Sequence, residues 1–359
     1  VLSSQPSYKA SVDNQRQPAR ERVDGANVVR LNLPPEAGRP LVRIVNSLVL
    51  GLGVFWHAVV RKRYDVIMVS TSPPVLAGWF VAMAAKVTSA RFIYHCMDIH
   101  PEIGHISGEF RNPRVFSLLS RLDRWTCTQA RPVVVLSDDM AESLIARRPE
   151  KPPETTVINN FSLPSEGAEP DELPFSWPNE PFVLLFAGNI GRFQGLDALV
   201  DAMARLRDRQ DIRLVMMGDG TEKERLCRKA EESGAQVSFV GHQSVEVAKA
   251  AMARASAGFV SLVPELYRYA YPSKTMTYLE QGCPVLVAVE VDSGLARDVT
   301  GNSAGVAVPG GDVDALATAI SSLADDPEGL GSMRQKALEF SARAFATDVV
   351  LARWSSLLQ

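Results

Sequence analysis

Two short segments of this 359-residue chain carry the residue types that grip phosphate. The first is Gly188-Asn189-Ile190-Gly191-Arg192-Phe193-Gln194-Gly195, set between the uninterrupted apolar run Phe182 to Ala187 and an amphipathic stretch beginning at Leu196. Glycines at a strand-to-helix turn let backbone N–H groups approach an anion, and the helix that follows adds its positive end. Arg192 supplies a full charge in a planar fork suited to phosphate oxygens. The spacing fits neither the dinucleotide fingerprint nor the P-loop, so the segment reads either as a phosphate loop or as a tight turn. The second segment is Tyr271-Pro272-Ser273-Lys274-Thr275, in which Ser273 is expected to cap a helix running to Gln281. A serine cap beside a lysine makes either a second anion pocket or an ordinary cap with a solvated lysine. Arg192 and Lys274 together would balance a diphosphate of charge about −2 without a metal.

Weaker signals surround these two. Met217-Gly218-Asp219-Gly220 and Val240-Gly241-His242 follow apolar runs, at the sheet edge where α/β proteins bind ligands, and either could line a base pocket. Asp98 and Glu102 follow the run Phe92 to His95; carboxylates so placed can orient or deprotonate an acceptor hydroxyl. His95, His100 and His105 recur every five residues, which does not put two ligands on one helix face, so no metal site is expected. Asp312-Val313-Asp314 has the D-x-D form of metal-dependent sugar transferases, but it directly precedes a helical pattern and reads as a cap. Signatures of serine hydrolases, zinc proteases and kinases are absent.

The elements that must position these residues alternate between short β-rich runs and longer helical patterns, which predicts α/β architecture with parallel sheets. Strands are expected at Val28 to Leu31, Val66 to Ser70, Phe92 to His95, Val133 to Leu136 and Val157 to Ile158, with helices at Leu41 to Val60, Val75 to Val87, Pro113 to Ala130 and Asp139 to Arg147. Six prolines and glycines from Pro164 to Pro181 then mark a linker, so the expected domains are 1–160, a linker 161–181 and 182–345. In the second domain strands are expected at Phe182 to Ala187, Ile212 to Met217, Val237 to Val240, Gly258 to Leu262 and Val285 to Val289, with helices between them. A closing helix over 346–359 is expected to pack back on the first domain.

Mean hydropathy near zero, 46% apolar and 22% charged residues describe an ordinary globular chain. The net charge of −3 argues against a dedicated nucleic-acid binder. It hides an asymmetry: residues 1–160 carry 20 Lys+Arg against 14 Asp+Glu, and residues 161–359 carry 18 against 27. A basic first part fits either an anionic partner, such as a membrane surface, or drift of solvated charge. The apolar stretch Ile44 to Val60 is broken by Asn46, Ser47 and His57 and followed by Arg61, Lys62 and Arg63, so it reads as a packed helix or as one lying on a membrane rather than a span. Cys96, Cys127, Cys227 and Cys283 form no C-x-x-C pair and read as reduced thiols of a cytoplasmic protein, without disulfides or zinc.

With these residues in view, the chain resembles the retaining glycosyltransferases of family 4, which have the GT-B fold of two facing Rossmann-like domains. It is most similar to the bacterial branch holding N-acetylfucosaminyl transferases of O-antigen and capsule synthesis. The matching stretches are Gly188 to Asp197, Gly218 to Gly220, Val240 to Gly241 and Pro272 to Val285, with Ser70 to Pro74, Asp98 to Glu102 and Val157 to Phe161 in the first domain. The resemblance implies a UDP-sugar donor held by Gly188, Asn189, Gly191, Arg192, Gln194, Gly218, Asp219, Val240, Gly241, His242, Pro272, Ser273, Lys274, Thr275 and Thr277. It implies transfer with retention, and without a cofactor or metal, to a glycan or lipid-linked acceptor. Arg192 and Lys274 would stabilise the leaving group, and Asp98 and Glu102 would handle the acceptor. Such an enzyme is expected in the cytoplasm, or peripherally at the inner membrane face. Three departures stand out. Asn189 and Gln194 occupy places where much of the family has Arg and Lys; Tyr269 and Thr277 replace the family's E-x7-E pair; and Met97 stands where a basic residue often precedes the aspartate. Val1 aligns with the family's second strand, so the first strand and its glycine-rich acceptor loop are expected to precede this sequence. A UDP-sugar 2-epimerase of the same fold and a non-catalytic nucleotide-sugar binding module are the alternatives, the latter because of the missing acidic pair.

Overall fold

The computed structural model describes residues 1–5, 17–34, 40–61, 64–71, 73–106, 108, 110, 112–162 and 167–359. Lys62, Arg63, Ser72 and Pro164, which figure in the expectations above, lie outside the described residues. The chain divides into two units, Val1–Val135 with Ser143–Thr156, and Leu136–Glu142 with Val157–Gln359.

In the first unit, β1 (Leu2–Ser4), β2 (Arg20–Val23) and β3 (Ala26–Leu31) form one sheet in the order β1-β3-β2, with β1 parallel and β2 antiparallel to β3. The hairpin β2–β3 turns on Asp24 and Gly25, both at positive φ (48° and 82°), the conformation that a two-residue turn with the right twist requires. A second sheet runs β4 (Val66–Ser70), β5 (Arg91–Cys96), β6 (Val133–Val135), β7 (Thr155–Val157). Its helices are α1 (Pro40–Arg61), α2 (Leu76–Thr88), α3 (Glu102–Ile106) and α4 (Pro113–Gln129), and α5 (Asp138–Ala146) is divided between the units, Ser143–Ala146 falling in the first. α4 starts as its sequence asks: Pro113 fits the first turn, where its missing N–H is not needed, and the Asn112 side chain accepts from Arg114 N. The antiparallel β2 and the five-residue α3 are additions to the expected elements; both are too short to show a periodicity.

The second unit holds one six-stranded sheet, all parallel, in the order β10-β9-β8-β11-β12-β13. The strands are β8 (Phe182–Ala187), β9 (Ile212–Met217), β10 (Val237–Val240), β11 (Ala257–Ser261), β12 (Val285–Ala288) and β13 (Gly305–Val308). Helices α6 (Leu196–Arg205), α7 (Lys223–Ser233), α8 (Val245–Arg254), α9 (Lys274–Glu280), α10 (Gly294–Gly301), α11 (Val313–Asp325) and α12 (Pro327–Ala344) connect and cover them, and α13 (Thr347–Leu358) packs on α12. β8 and β11 are buried at every position, which is why they read as continuous apolar runs. Leu184, Phe186, Leu214, Met216, Phe259 and Leu286 build the core on one face with Leu199, Val200 and Met203 of α6 and Leu316 and Ile320 of α11. At about 25 cal/mol per Å² of apolar surface, a fully buried Phe186 alone contributes about 2–3 kcal/mol. β13 and α10 were not expected: one is four residues long, the other has only eight residues and is started by Ser293, whose hydroxyl accepts from Ala296 N. α13 belongs to this unit, and the described residues of the proline-punctuated segment form neither helix nor strand.

Candidate functional site

The order of strands in the second unit reverses between β8 and β11, and in open α/β sheets the crevice outside the carboxyl ends at such a switch point is where ligands bind. Here the crevice is built in. β11 pairs with β8 only through Ala257↔Leu184 and Gly258↔Leu185, and the two strands then part. Tyr278 of α9 fills the gap: its hydroxyl donates to Leu185 O and accepts from Ala187 N, each at 2.8 Å, replacing the missing ladder bonds. Gly258 makes room for the ring, since a β-carbon there would meet Tyr278 Cδ1 at 2.4 Å. A tyrosine hydroxyl buried with both roles satisfied holds the first turn of the crevice in place.

Two glycine-containing loops cross this point. Gly188, at φ 141°, follows β8, and its N–H donates to Met217 O (2.9 Å); Ile190 N donates to Asp219 O (2.9 Å). The loops lie so close that a β-carbon on Gly218 would stand 1.9 Å from Gly188 O, and one on Gly220 2.2 Å from Ile190 O. Gly218 and Gly220 therefore have a backbone-packing reason to be glycine. Val263 N donates to Phe193 O (2.9 Å) and the Ser261 hydroxyl to Gln194 O, which ties the Gly188 loop to the end of β11.

Lys274 is the residue this arrangement singles out. Its Nζ is sealed from solvent without a hydrogen-bond partner among the described residues; it stands 3.9 Å from the centre of the Phe186 ring and 3.3 Å from where a Gly188 β-carbon would be. Burial pushes its ammonium down to about 7. A desolvated, unpartnered ammonium is costly, and the ring face recovers only part of that cost. Gln194 Oε1, Thr275 Oγ1 and Thr277 Oγ1 are also buried without partners.

The other expected donor residues are placed less simply. Ser273 is not a cap: it is exposed, its backbone is already helical, and its side chain makes no capping bond, because Thr275 N donates instead to Pro272 O (3.1 Å). Arg192 lies at the surface in a three-residue helical turn, paired with Glu222 at 3.2 Å. Glu222 also holds Arg225, which grips Asp197 through two bonds of 2.6 Å; those bonds, with Lys229, pull the Asp197 carboxyl down to about 2. Asn189 folds over Gly191 and toward Gly220. Asp219 joins the ends of β9 and β10, accepting from His242 N (3.0 Å) and from Lys223 (2.6 Å), with Gly218 N donating to Val240 O (2.9 Å); Gly241 is open. Asp312 caps α11, accepting from Ala315 N, as its position before a helix predicts.

In the first unit, Asp98 follows β5, its N–H on Thr71 Oγ1 (3.3 Å); surrounding protein pushes its carboxyl up although the residue reaches the surface. Glu102 does not share that freedom. Arg147 of the α5 end binds Glu102, Asp123 (2.6 Å) and His100 O (3.1 Å), and Tyr94 donates to Asp123 (3.0 Å). Arg147 was not singled out by the sequence, since 24 and 45 residues separate it from its acidic partners. Cys96, Cys127, Cys227 and Cys283 are free thiols, and no cluster able to hold a metal occurs among the described residues.

Residues 181–326 match the family model for glycosyl transferases group 1, and residues 8–160 that for a glycosyl transferase 4-like domain. The chain is 24% identical over 288 residues to the probable glycosyltransferase WbjE of Pseudomonas aeruginosa, covering 77% of this chain and 71% of that protein. Among solved structures it is similar to sucrose-phosphate synthase from Thermosynechococcus elongatus (TM-score 0.73, 18% identity, 99% of this chain and 87% of the other). It is also similar to Anabaena Alr3699/HepE in complex with UDP (TM-score 0.67, 18% identity, 92% and 85%). Both halves of the sequence thus match glycosyl transferase domain models, and the parallel α/β fold is similar to that of these solved structures.

Proposed function

We propose that the chain transfers a sugar, an N-acetylated hexose or deoxyhexose, from a UDP-sugar to a glycan or lipid-linked acceptor in polysaccharide assembly, with retention of configuration and without a metal. The observation that carries the donor side is the buried, unpartnered Lys274 Nζ against Gly188 at the sheet's switch point. A diphosphate there supplies the counter-charge that the protein withholds, and the ammonium then stabilises the negative charge that builds on the leaving group. Arg192 reaches the same diphosphate by exchanging Glu222 for a phosphate oxygen; an exposed ion pair is worth at most about 1 kcal/mol, so the exchange is cheap. HepE, whose crystals hold UDP and UDP-glucose, lends support to a uridine nucleotide. The departing diphosphate takes the acceptor proton on the face it leaves, which gives retention, and Asp98 orients the acceptor hydroxyl. Glu102 supports that loop from its pair with Arg147.

The test is a panel of UDP-sugars with lipid-linked and free glycan acceptors, followed by UDP release and by proton NMR of the product, with and without a chelator. The reading expects acceptor-dependent UDP release, unchanged by chelator, and a product with the donor's anomeric configuration. Product of inverted configuration, or epimerised donor formed without acceptor, would overturn it.

A further inference from the structure

Helix α1 is amphipathic the wrong way round. Val45, Leu48, Val49, Leu52, Trp56 and Val60 are all exposed, Trp56 by 70% and Val60 by 59%, whereas Asn46, Ser47 and Ala58 are buried, and Gly51 lies against Phe80 of α2. At 3.6 residues per turn the six exposed residues fall within an arc of about 120° and run for about 22 Å along the helix. Small and polar side chains thus meet the protein, and branched, aliphatic and indole side chains meet solvent. Scattered exposed apolar residues need no explanation, but a continuous stripe of this kind marks a docking surface.

The charge around the stripe says which partner fits. In the sequence no Asp or Glu occurs between Glu36 and Asp65, while Arg39, Arg43, Arg61, Lys62 and Arg63 do, so every Asp, Glu, Lys or Arg in the segment that carries the apolar stripe is basic. An apolar stripe in a segment whose charged residues are all basic complements a layer of hydrocarbon beneath anionic headgroups. Trp56 is the side chain that prefers the boundary between the two. No helix among the described residues is long and apolar enough to cross a membrane, so the contact is one lying in the plane.

We propose that the exposed face of α1 seats this protein on an anionic lipid bilayer, with Leu48, Leu52 and Trp56 entering the headgroup boundary. The proposal stands on α1 alone and is independent of the transfer reaction. It is tested by co-sedimentation of the chain, and of its Leu48→Ser/Leu52→Ser/Trp56→Ser variant, with vesicles of phosphatidylcholine alone or with one part in four of phosphatidylglycerol. The chain should partition onto the anionic vesicles, more weakly onto neutral ones and at high salt, and the triple variant should lose about tenfold or more in partition coefficient. Because these positions face solvent, the variant should keep its thermal midpoint. If it does not fold, Trp56 emission in the unmodified chain decides: anionic vesicles should shift it to the blue, the signal being isolated by difference from Trp56→Phe. Equal vesicle binding by chain and variant, or an unshifted Trp56, would overturn the proposal. So would a chain that ignores vesicles but forms a dimer in sedimentation that the triple substitution dissociates, since a second copy would then be the occupant.

Discussion

Two corners at the carboxyl ends of parallel strands treat buried charge in opposite ways. Behind β5, Arg147 is met by Asp123, Glu102 and the His100 carbonyl, and Asp123 is met in turn by Tyr94. Burial alone would lower the Arg147 pKa, but Asp123 and Glu102 outweigh it and raise it, so the guanidinium is secured as a cation. Behind β8, Lys274 is equally buried and is met by a ring face and a glycine. The lesson is that buried charge by itself does not mark a ligand site. What marks it is a charge for which the fold leaves no counter-charge, placed where the sheet opens.

The comparison breaks most visibly if the two cations respond alike to removal. Arg147→Ala strands two carboxylates in the interior and should destabilise the protein by about 3–5 kcal/mol in urea unfolding, while leaving UDP affinity in the folded fraction unchanged. Lys274→Met removes an unpaired ammonium in favour of an apolar chain of similar shape, so the unliganded protein at pH 6 should gain about 1–2 kcal/mol. A loss of stability in both variants would erase the distinction.

The pH dependence sharpens it. The Lys274 pKa is lowered to about 7 in the folded state and returns to about 10.4 on unfolding, so between those values the unfolded chain binds more protons. The penalty for burying the ammonium is therefore full below about pH 7 and relieved as pH rises, adding up to about 1.4 kcal/mol of stability per pH unit in that window. Measured unfolding free energies should show this rise in the parent chain and a flatter profile in Lys274→Met. The smallest effect concerns the D-x-D form: Asp312→Ala should cost about 1 kcal/mol of stability, the value of a helix cap, and should leave the proposed transfer unchanged whether or not a chelator is present.

How far the sequence could be read follows the same physics. Strands buried on both faces, such as Phe182–Ala187, announce themselves as apolar runs, and β8, β9 and β10 stand where the pattern places them. The hairpin β2–β3 carried one local signal, Asp24-Gly25, that hydropathy alone passes over. Lys274 was legible as a residue type in a suggestive place, but for a reason that does not hold. No serine cap presents it; the missing side chain of Gly188 and the Phe186 ring give it room. Arg192 read as a phosphate ligand with its charge free, because Glu222, 30 residues on, is invisible as its partner until the loops are folded together. Nothing in the sequence marks Tyr278 as the side chain that fills the opening between β8 and β11, because that role depends on Gly258, twenty residues away and on a strand rather than on its own helix.

The most direct test of the central claim, that Lys274 waits for a diphosphate, is calorimetric titration of UDP, with ADP and GDP as controls, into the chain and into Lys274→Met at pH 8 in two buffers of different ionisation enthalpy. UDP should bind selectively and with proton uptake, because the anion recharges an ammonium whose free pKa is about 7. Lys274→Met should lose that uptake together with about 1.5–3 kcal/mol of affinity. Binding of UDP to Lys274→Met with unchanged affinity, or no nucleotide binding by the folded parent chain, would contradict the account.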